Sequence, residues 1–298
     1  MKLINHVKSK LDKTIKYIFE TNGQVVEFSY IDNNTGKDII CVPCQTMCNM
    51  SCKFCHLTDH IGKIKLQDLF ASQIVNGVEH IVKDLQLGKR QILISFMGCG
   101  EPLNNIYNIL DSMVSLKKIY PTIRFGLATM MPKNSWMEFF QLTKQVKELN
   151  INLKIHLSLH FTNDITRNEW MPGALNVEPS LNALNFYKHI TGNATEIHYT
   201  IMDEINDNNI DVSFLSENIN SDTTIKFMMY SERKALVGVN KVKTSKLEEI
   251  MLKLKTAGKI VEYYEPPGND IGASCGQFLL SDLVPSVKNS EILEINKV

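Results

Sequence analysis

The chain has 298 residues, with 32 lysines and arginines against 32 aspartates and glutamates, and 44% of its residues are apolar. This length supports a sizeable core in one or two domains, and the charge balance excludes a strong overall attraction to nucleic acid or anionic membranes. We find no secretory signal and no apolar run near the ~20 residues of a membrane span. Clustered cysteines in such a chain indicate a reducing compartment, so we expect a cytoplasmic protein without membrane contact.

The N-terminal region predicts a helix followed by two strands. Apolar side chains recur at helical spacing over residues 1–20, which predicts an amphipathic helix there. Strands are predicted at residues 25–31 and 39–42, on either side of a turn-rich segment. We therefore expect a short helix and strand extension at residues 1–40, ahead of a catalytic domain at residues 41–298.

The rest of the chain alternates short strands with helices, beginning with a helix near residues 66–87. The later strands are predicted at residues 92–97, 123–129, 153–159, 196–202, 224–230 and 260–264, and the helices near residues 104–119, 134–149, 178–190, 209–220 and 243–257. This alternation implies an α/β fold with a parallel sheet, and about six units suit an open, partial (β/α)6 barrel. Functional residues should then follow the strands, at their carboxyl ends.

A cysteine-rich loop carries the clearest chemical signal. Cys48, Cys52 and Cys55 have the spacing C-x3-C-x2-C just after a short apolar strand. Three thiolates on one loop can hold three irons of a cubane cluster and leave the fourth iron open to a small molecule. We interpret this as the cluster loop of a radical S-adenosylmethionine enzyme. Phe54 supports the interpretation, because such loops commonly carry an aromatic residue there that packs on adenine.

Two other interpretations of the cysteines remain open. The pairs Cys41–Cys44 and Cys52–Cys55 resemble zinc knuckles, but only seven residues separate them, whereas four-cysteine zinc sites usually place the pairs about 15–20 residues apart. Zinc stays possible because two nearby histidines offer a fourth ligand, His56 and His60. A disulfide framework is typical of a small secreted domain and does not suit a chain of this length.

Candidate ligand-binding residues follow several of the predicted strands. Gly98 to Pro102 form a glycine-containing loop, and Ser158-Leu159-His160 end another strand. Residues 268–277 form a glycine-rich loop that carries Cys275. Each signal is weak alone, because such glycine loops are usually plain turns and a lone histidine at a strand end is usually a core residue. An isolated cysteine flanked by glycines is less typical of a buried, inert thiol.

Together these motifs resemble one family, the radical S-adenosylmethionine methyltransferases RlmN and Cfr, which methylate an adenine of ribosomal RNA. The resemblance extends from about residue 14 to residue 277. Its motifs, in order, are TIKYIF, NGQVVEF, Cys41 ahead of CNMSCKFC, FMGCGEPLNN, SLHFTND-x2-R-x3-MP, HYTIMDEIND and GNDIGASCGQ. The cluster motif alone indicates the superfamily, whereas Cys41 together with the C-terminal SCGQ indicates this family.

The resemblance implies a radical S-adenosylmethionine barrel and a role for each matching residue. Three cysteines would hold a [4Fe-4S] cluster, namely Cys48, Cys52 and Cys55. Cys275 would carry the methyl group, Cys41 would release the product by forming a disulfide with Cys275, and Glu27 would accept a proton. The implied S-adenosylmethionine contacts are Phe54, Gly100, Glu101, Thr129, Ser158, Leu159, His160 and Ser231. Cys44 and Cys99 match no role and are interpreted as packing residues.

The implied activity is methylation of an sp2 carbon of adenine, C2 with C8 as the second candidate, in ribosomal or transfer RNA through methyl-Cys275. The implied partners are RNA and an electron donor of the flavodoxin or ferredoxin type, and we expect a monomer. The first motif lies close to residue 1, so most of the family's N-terminal accessory domain is expected to be missing.

Other departures concern ligand and RNA contacts. Residues 264–267 lack the arginines usual for the family, Ser231 aligns with the family's asparagine, and the family's serine falls near Ala128 or Thr129. Losing cationic contacts weakens phosphate binding. Two alternatives therefore stay open. One is the same chemistry on a small heterocycle or a peptide, and the other is a zinc-holding RNA-binding module that has lost catalysis.

Overall fold

A computed structural model describes residues 1–32, 36–273 and 277 of the chain. The strands are β1 (Lys2–Lys8), β2 (Ile15–Thr21), β3 (Gln24–Asp32), β4 (Lys37–Cys41), β5 (Gln91–Phe96), β6 (Arg124–Thr129), β7 (Leu153–Ser158), β8 (Thr195–Ile201), β9 (Thr224–Met229) and β10 (Val261–Tyr264). The helices are α1 (Ala71–Asp84), α2 (Ile106–Ile119), α3 (Trp136–Glu148), α4 (Asp164–Trp170), α5 (Val177–Thr191), α6 (Asn209–Asn218) and α7 (Thr244–Thr256).

The ten strands form one sheet in which each strand pairs with its neighbours in sequence. The strands β1 to β4 pair antiparallel, and all pairings from β4 to β10 are parallel. Parallel neighbours need a crossover connection, and helices α1 to α7 supply it. This architecture confirms the predicted α/β fold with a partial (β/α)6 barrel.

One buried cluster joins the outer face of the sheet to the helices. On β7 and β8, Ile155, Leu157, Ile197 and Tyr199 alternate with polar residues and belong to the same cluster as the apolar faces of the helices. Full burial of one such side chain contributes about 1.5–3 kcal/mol. Because the apolar side chains face the helices, the polar side chains that alternate with them lie on the inner face.

The predicted helix over residues 1–20 is wrong. This segment forms β1 and β2, which pair antiparallel from Lys2↔Glu20 to Lys8↔Ile15. β2 is rich in β-branched and aromatic residues, is almost entirely buried, and also pairs with β3. Apolar residues at helical spacing therefore belong to a segment whose burial requires strand pairing on both edges. The division of the chain after residue 40 stays a prediction.

The other predicted strands agree with the structure to within about two residues. The first long helix is shorter than predicted, since α1 covers only Ala71–Asp84, and the short helix α4 was not predicted. In the described part of the chain, no helix combines the length and apolar character needed to cross a bilayer.

Candidate active site

A cavity of about 200 Å³ lies at the carboxyl ends of the parallel strands. The cysteine loop forms one side of it, and the rest is formed by residues at or just beyond the ends of β5 to β9 and by Met171, which follows α4. The predicted site residues that line it are Cys48, Cys52, Phe54, Cys55, Gly100, Glu101, Ser158, His160 and Ser231. The fold therefore brings together residues that are spread over more than half of the sequence.

Backbone hydrogen bonds fix the start of the cysteine loop against the loop that follows β5. The amide of Cys44 donates to the carbonyl of Cys99 over 2.9 Å. Gly100 has a φ of +108°, and a Cβ atom there would lie 2.5 Å from the Sγ atom of Cys44 and 2.8 Å from the Cβ atom of Gln45. Only glycine fits this close approach and this backbone conformation.

A second set of contacts, which no sequence pattern predicted, holds the far end of the cysteine loop. Arg233, in the loop after β9, donates through Nε to Asp59 over 2.9 Å and forms a second bond to the same carboxylate. It also donates to the carbonyl of Lys53. Thr58 donates to the carbonyl of Cys52 over 2.7 Å. The loop is thus held in place by the protein chain itself.

The three cysteine side chains line one cavity but lack the compact arrangement of a single tetrahedral zinc site. Burial raises the pKa of Cys48 to about 12 and also raises the pKa values of Cys52 and Cys55, so metal binding must release protons from these thiols. Sulfurs around one tetrahedral zinc lie about 3.8 Å apart. Within the described residues, the three thiols do not form a group whose ligand atoms all lie within 4.8 Å. A cubane cluster holds its cysteine sulfurs further apart.

The packing interpretation of Cys44 and Cys99 agrees with their positions. Both are buried, and the Cys44 thiol donates to the carbonyl of Cys99 over 3.5 Å. His56, a candidate zinc ligand, instead places Nε2 3.3 Å from both the carbonyl and the hydroxyl oxygen of Ser231. The zinc-knuckle arrangement therefore gains no support from these contacts.

Glu101 presents a buried carboxylate at the cavity. It accepts hydrogen bonds from the hydroxyl of Thr129 over 2.6 Å, from the amide of Leu103 over 3.1 Å and from the amide of Met130 over 3.1 Å. Burial raises the pKa of Glu101 to about 7, and these hydrogen bonds oppose the shift. Thr129 thus lies behind the cavity wall and holds a carboxylate that can meet an ammonium group.

His160 is fixed as a neutral imidazole. It has a φ of +55°, and its Nδ1 atom accepts from the amide of Thr200 over 2.9 Å. Burial holds the pKa of His160 well below its usual range. The Nε2 atom therefore carries the proton and can donate. The ring of Phe54 contacts that of His160 edge to face, with 4.9 Å between centroids.

Leu159 supports the cavity from behind through its backbone. Its carbonyl accepts a hydrogen bond from Arg167, and its amide donates to the carbonyl of His198 over 3.1 Å. Arg167 also donates to the carbonyls of Ser158 over 3.1 Å and Met130 over 2.8 Å. This fully buried arginine therefore ties together the chain just beyond the ends of β6 and β7.

A buried polar network lies on the inner face of the barrel beside the cavity, and the sequence did not reveal it. The Nδ1 atom of His156 and the Nε2 atom of His198 lie 3.1 and 3.0 Å from Oε1 of Glu196, and His198 lines the cavity. Lys226 lies 2.7 Å from the same oxygen, and Lys154 bonds the other. Two lysines already pair with this carboxylate, and Lys226 pairs with Glu262 as well. The positive charge around Glu196 disfavours a metal cation there.

The C-terminal segment reaches the cavity through Gln277. Its Nε2 atom lies 2.6 Å from the hydroxyl oxygen of Ser231 and 2.6 Å from the side-chain oxygen of Asn269. Ser231 lines the cavity and also contacts His56 of the cysteine loop. Cys275 itself lies outside the described residues.

Glu27 and Cys41 lie in neighbouring strands and are not among the residues that line the cavity. Glu27 forms an ion pair of 3.1 Å with Lys16, and both side chains are fully buried. Cys41 packs in a small cluster with Cys48, Cys55 and other buried side chains. No disulfide joins two of the described cysteines, and the disulfide expected between Cys41 and Cys275 involves a residue outside them.

Comparison with known proteins gives relatives over nearly the whole chain. A probable dual-specificity RNA methyltransferase RlmN of Endomicrobium trichonymphae is 27% identical over 93% of this chain and 79% of its own length. A dual-specificity RNA methyltransferase RlmN of Buchnera aphidicola is 29% identical over 96% of this chain and 79% of its own length. No family model matches the chain.

Solved structures share the fold. A radical SAM methyltransferase from Sphaerobacter thermophilus superposes with a TM-score of 0.80 at 20% identity, over 93% of this chain and 80% of that protein. A spore photoproduct lyase superposes less closely, with a TM-score of 0.52 at 10% identity over 76% of each chain. These comparisons confirm the resemblance found in the motifs and the prediction of a methyltransferase: the chain is similar over nearly its whole length to RNA methyltransferases named RlmN.

Proposed function

We propose that the protein methylates an sp2 carbon of adenine in RNA, C2 with C8 as the second candidate, by radical S-adenosylmethionine chemistry. The relatives named as RNA methyltransferases support an RNA substrate, and the family resemblance suggests ribosomal or transfer RNA. One observation carries the proposal. The cysteine loop, Glu101 and His160 share one cavity, and Gln277 ties the segment that contains Cys275 to Ser231 of its wall.

The chain's residues fit the two cofactors that this chemistry needs. Cys48, Cys52 and Cys55 would hold a [4Fe-4S] cluster, which supplies one-electron reduction of S-adenosylmethionine and a radical when both groups are bound. Glu101 offers a carboxylate to the methionyl amine. Phe54 and the other apolar side chains of the cavity exclude water around the adenosyl group.

Four steps fall to the protein's own residues. The Cys275 thiolate takes a methyl group from one S-adenosylmethionine by displacement, which leaves S-adenosylhomocysteine. The methyl group on Cys275 loses a hydrogen atom to the radical formed from a second S-adenosylmethionine. Its carbon then joins the base and links the protein to RNA. Glu27 removes the ring proton as a general base. The adduct must also lose one electron, which the iron–sulfur cluster would accept. The Cys41 thiolate then attacks the Cys275 sulfur, which forms a disulfide and breaks the bond between that sulfur and the methyl carbon, and this carbon takes up a proton to complete the methyl group.

The described residues on either side of residues 274–276 support the role proposed for Cys275. Ala273 and Gln277, which flank residues 274–276, are both buried. The hydrogen bond from Gln277 to Ser231 joins the residue two positions after Cys275 in the sequence to the cavity wall, which supports the role proposed for Cys275. Disulfide formation further requires the Cα atoms of Cys41 and Cys275 to approach within about 6 Å.

Further parts of the proposal concern the setting of the reaction. We propose a cytoplasmic monomer with residues 41–298 as its catalytic domain, reduced by a donor of the flavodoxin or ferredoxin type. The same chemistry on a small heterocycle or peptide remains the second candidate, because the cationic RNA contacts expected near residues 264–267 are missing from the sequence.

Two cysteine variants test the proposal. Cys275→Ala should abolish RNA methylation, whereas Cys41→Ala should accumulate a covalent adduct between protein and RNA that gel electrophoresis detects. Methylated RNA from Cys275→Ala would contradict the mechanism. Iron and sulfide analysis of the reconstituted protein separates the enzyme from a zinc-holding binding module, since zinc without iron would support the latter.

A further inference from the structure

Arg167 is a fully buried guanidinium surrounded by carbonyl groups. It donates to the carbonyls of Leu175 over 2.8 Å, Ser158 over 3.1 Å and Met130 over 2.8 Å, and also to that of Leu159. Carbonyl dipoles satisfy its N–H groups but carry no net charge. Burying a charge without an opposite charge costs several kcal/mol, so this site needs an anion that the carbonyls do not provide.

The described residues offer no carboxylate that forms an ion pair with Arg167. The two groups that act on it most strongly as opposite charges are Cys52 and Asp164. The Asp164 carboxylate accepts a hydrogen bond from the amide of Val177 over 2.8 Å and bonds no nitrogen of Arg167. Burial lowers the pKa of Arg167 to about 10, so the guanidinium stays protonated at neutral pH.

Helix α4, which carries Arg167, packs directly against the cysteine loop. The carbonyl of Trp170, at the end of α4, accepts from the amide of Lys53 over 2.8 Å. The Sγ atom of Cys52 lies 3.9 Å from the Sδ atom of Met130, whose carbonyl accepts from Arg167. Met130 therefore contacts both the guanidinium of Arg167 and the sulfur of Cys52.

We propose that Arg167 is the buried counter-charge of the iron–sulfur cluster and raises its reduction potential. A cubane core of charge two plus held by three thiolates has a net charge of one minus, and adding one electron makes it two minus. A nearby buried cation stabilises the reduced form more than the oxidised form. The inference rests on the cluster of the proposed function but requires neither methyl transfer nor RNA.

Met171 permits a matched test, because its Sδ atom lies 3.6 Å from Nη1 of Arg167. Met171→Glu places a carboxylate against the guanidinium and cancels its charge, whereas Met171→Gln has the same shape and no charge. Both proteins are reconstituted anaerobically without S-adenosylmethionine, and one-electron reduction by dithionite is followed by EPR against redox mediators. Met171→Glu should have a lower reduction potential than Met171→Gln. At a fixed potential, its ratio of reduced to oxidised cluster should be lower by about tenfold or more.

The cluster-free protein gives a second readout. Without the cluster, the buried cation lacks its counter-charge, so Met171→Glu should melt at a higher temperature than Met171→Gln. The difference should shrink or reverse once the cluster is loaded.

Equal potentials for the Met171 variants would overturn the inference. Should those variants fail to fold, Arg167→Lys keeps the charge and Arg167→Gln removes it, and only the second should lower the potential. A protein that takes up no iron would overturn both the inference and the proposed cluster. If the variants differ in reduction potential as expected but the protein gives no methylated RNA, the proposed reaction alone is overturned.

Discussion

Gln277 lies 2.6 Å from Ser231, so a residue near the C-terminal end of the sequence is bonded to the cavity wall formed after β9. Ser231 in turn contacts His56 of the cysteine loop. The chain that carries Cys275 and the loop that carries the cluster ligands thus share one polar contact. Two residues more than two hundred positions apart, His56 and Gln277, therefore meet at one hydroxyl group.

Gln277→Ala should slow methylation of Cys275 by about tenfold or more, because losing the contacts with Ser231 and Asn269 frees the segment that positions the thiol. Mass spectrometry of the protein after incubation with S-adenosylmethionine measures this rate. Ser231→Ala should slow the reaction similarly. The double variant should be slowed by less than the two effects combined, since both changes remove the same bond between Gln277 and Ser231. Iron content should not change. An unaltered methylation rate in Gln277→Ala would contradict this role.

Gly100→Ala should destabilise the protein more than the control substitution Gly88→Ala does. An added Cβ meets the Sγ atom of Cys44 at 2.5 Å, and overpacking of this kind typically costs about 1–3 kcal/mol. Gly88 also has a positive φ, +129°, but has nothing within 4 Å, so Gly88→Ala carries the backbone strain alone. Denaturant unfolding measures both free energies. Equal losses would show that the close approach to Cys44 does not constrain the loop.

Glu101 should make the cluster-free protein less stable as pH rises from about 4.5 to about 7. Burial raises the pKa of this carboxyl from 4.5 to about 7, so in that window the folded state binds more protons than the unfolded state and stability falls with pH. The loss is of order 3 kcal/mol. Glu101→Gln should flatten the pH dependence of the unfolding free energy. The same slope in the variant would assign it to other groups.

Lys16→Met should destabilise the protein by about 3–5 kcal/mol, because it breaks the fully buried ion pair between Lys16 and Glu27. The double variant Lys16→Met with Glu27→Leu should recover much of that loss, since an apolar pair needs no compensation. Chemical unfolding of the single and double variants measures the coupling. Additive losses would exclude a direct interaction across this pair.

The repeating part of the fold was predictable because each strand and helix there is long enough to show its own period. The strands from β5 to β10 satisfied this condition. The strands β1 and β2 did not, because the apolar residues of β2 also fit helical spacing and only pairing with β1 and β3 decides its structure. Helix α4 has seven residues, too few for a periodic pattern.

The site was predictable in part. The cysteine spacing and the loops after β5 and β7 contain residues that the structure brings to one cavity. The network around Glu196 was not predicted, because alternating polar residues on β7 and β8 suggest a face of the sheet that is exposed to solvent. In a barrel these residues face inwards. Polar residues at matching register on neighbouring strands, such as His156↔Glu196, were the available signal.

The most direct test of the central claim uses S-adenosylmethionine with a deuterated methyl group. The reconstituted protein is incubated anaerobically with this compound, a reductant and RNA from cells that lack the endogenous methyltransferase, and RNA digests are read by mass spectrometry. A methyladenine with two transferred deuteriums, and the third deuterium in 5′-deoxyadenosine, is the predicted result and identifies the carbon. Transfer of all three deuteriums to the base would contradict the route through a radical on methyl-Cys275.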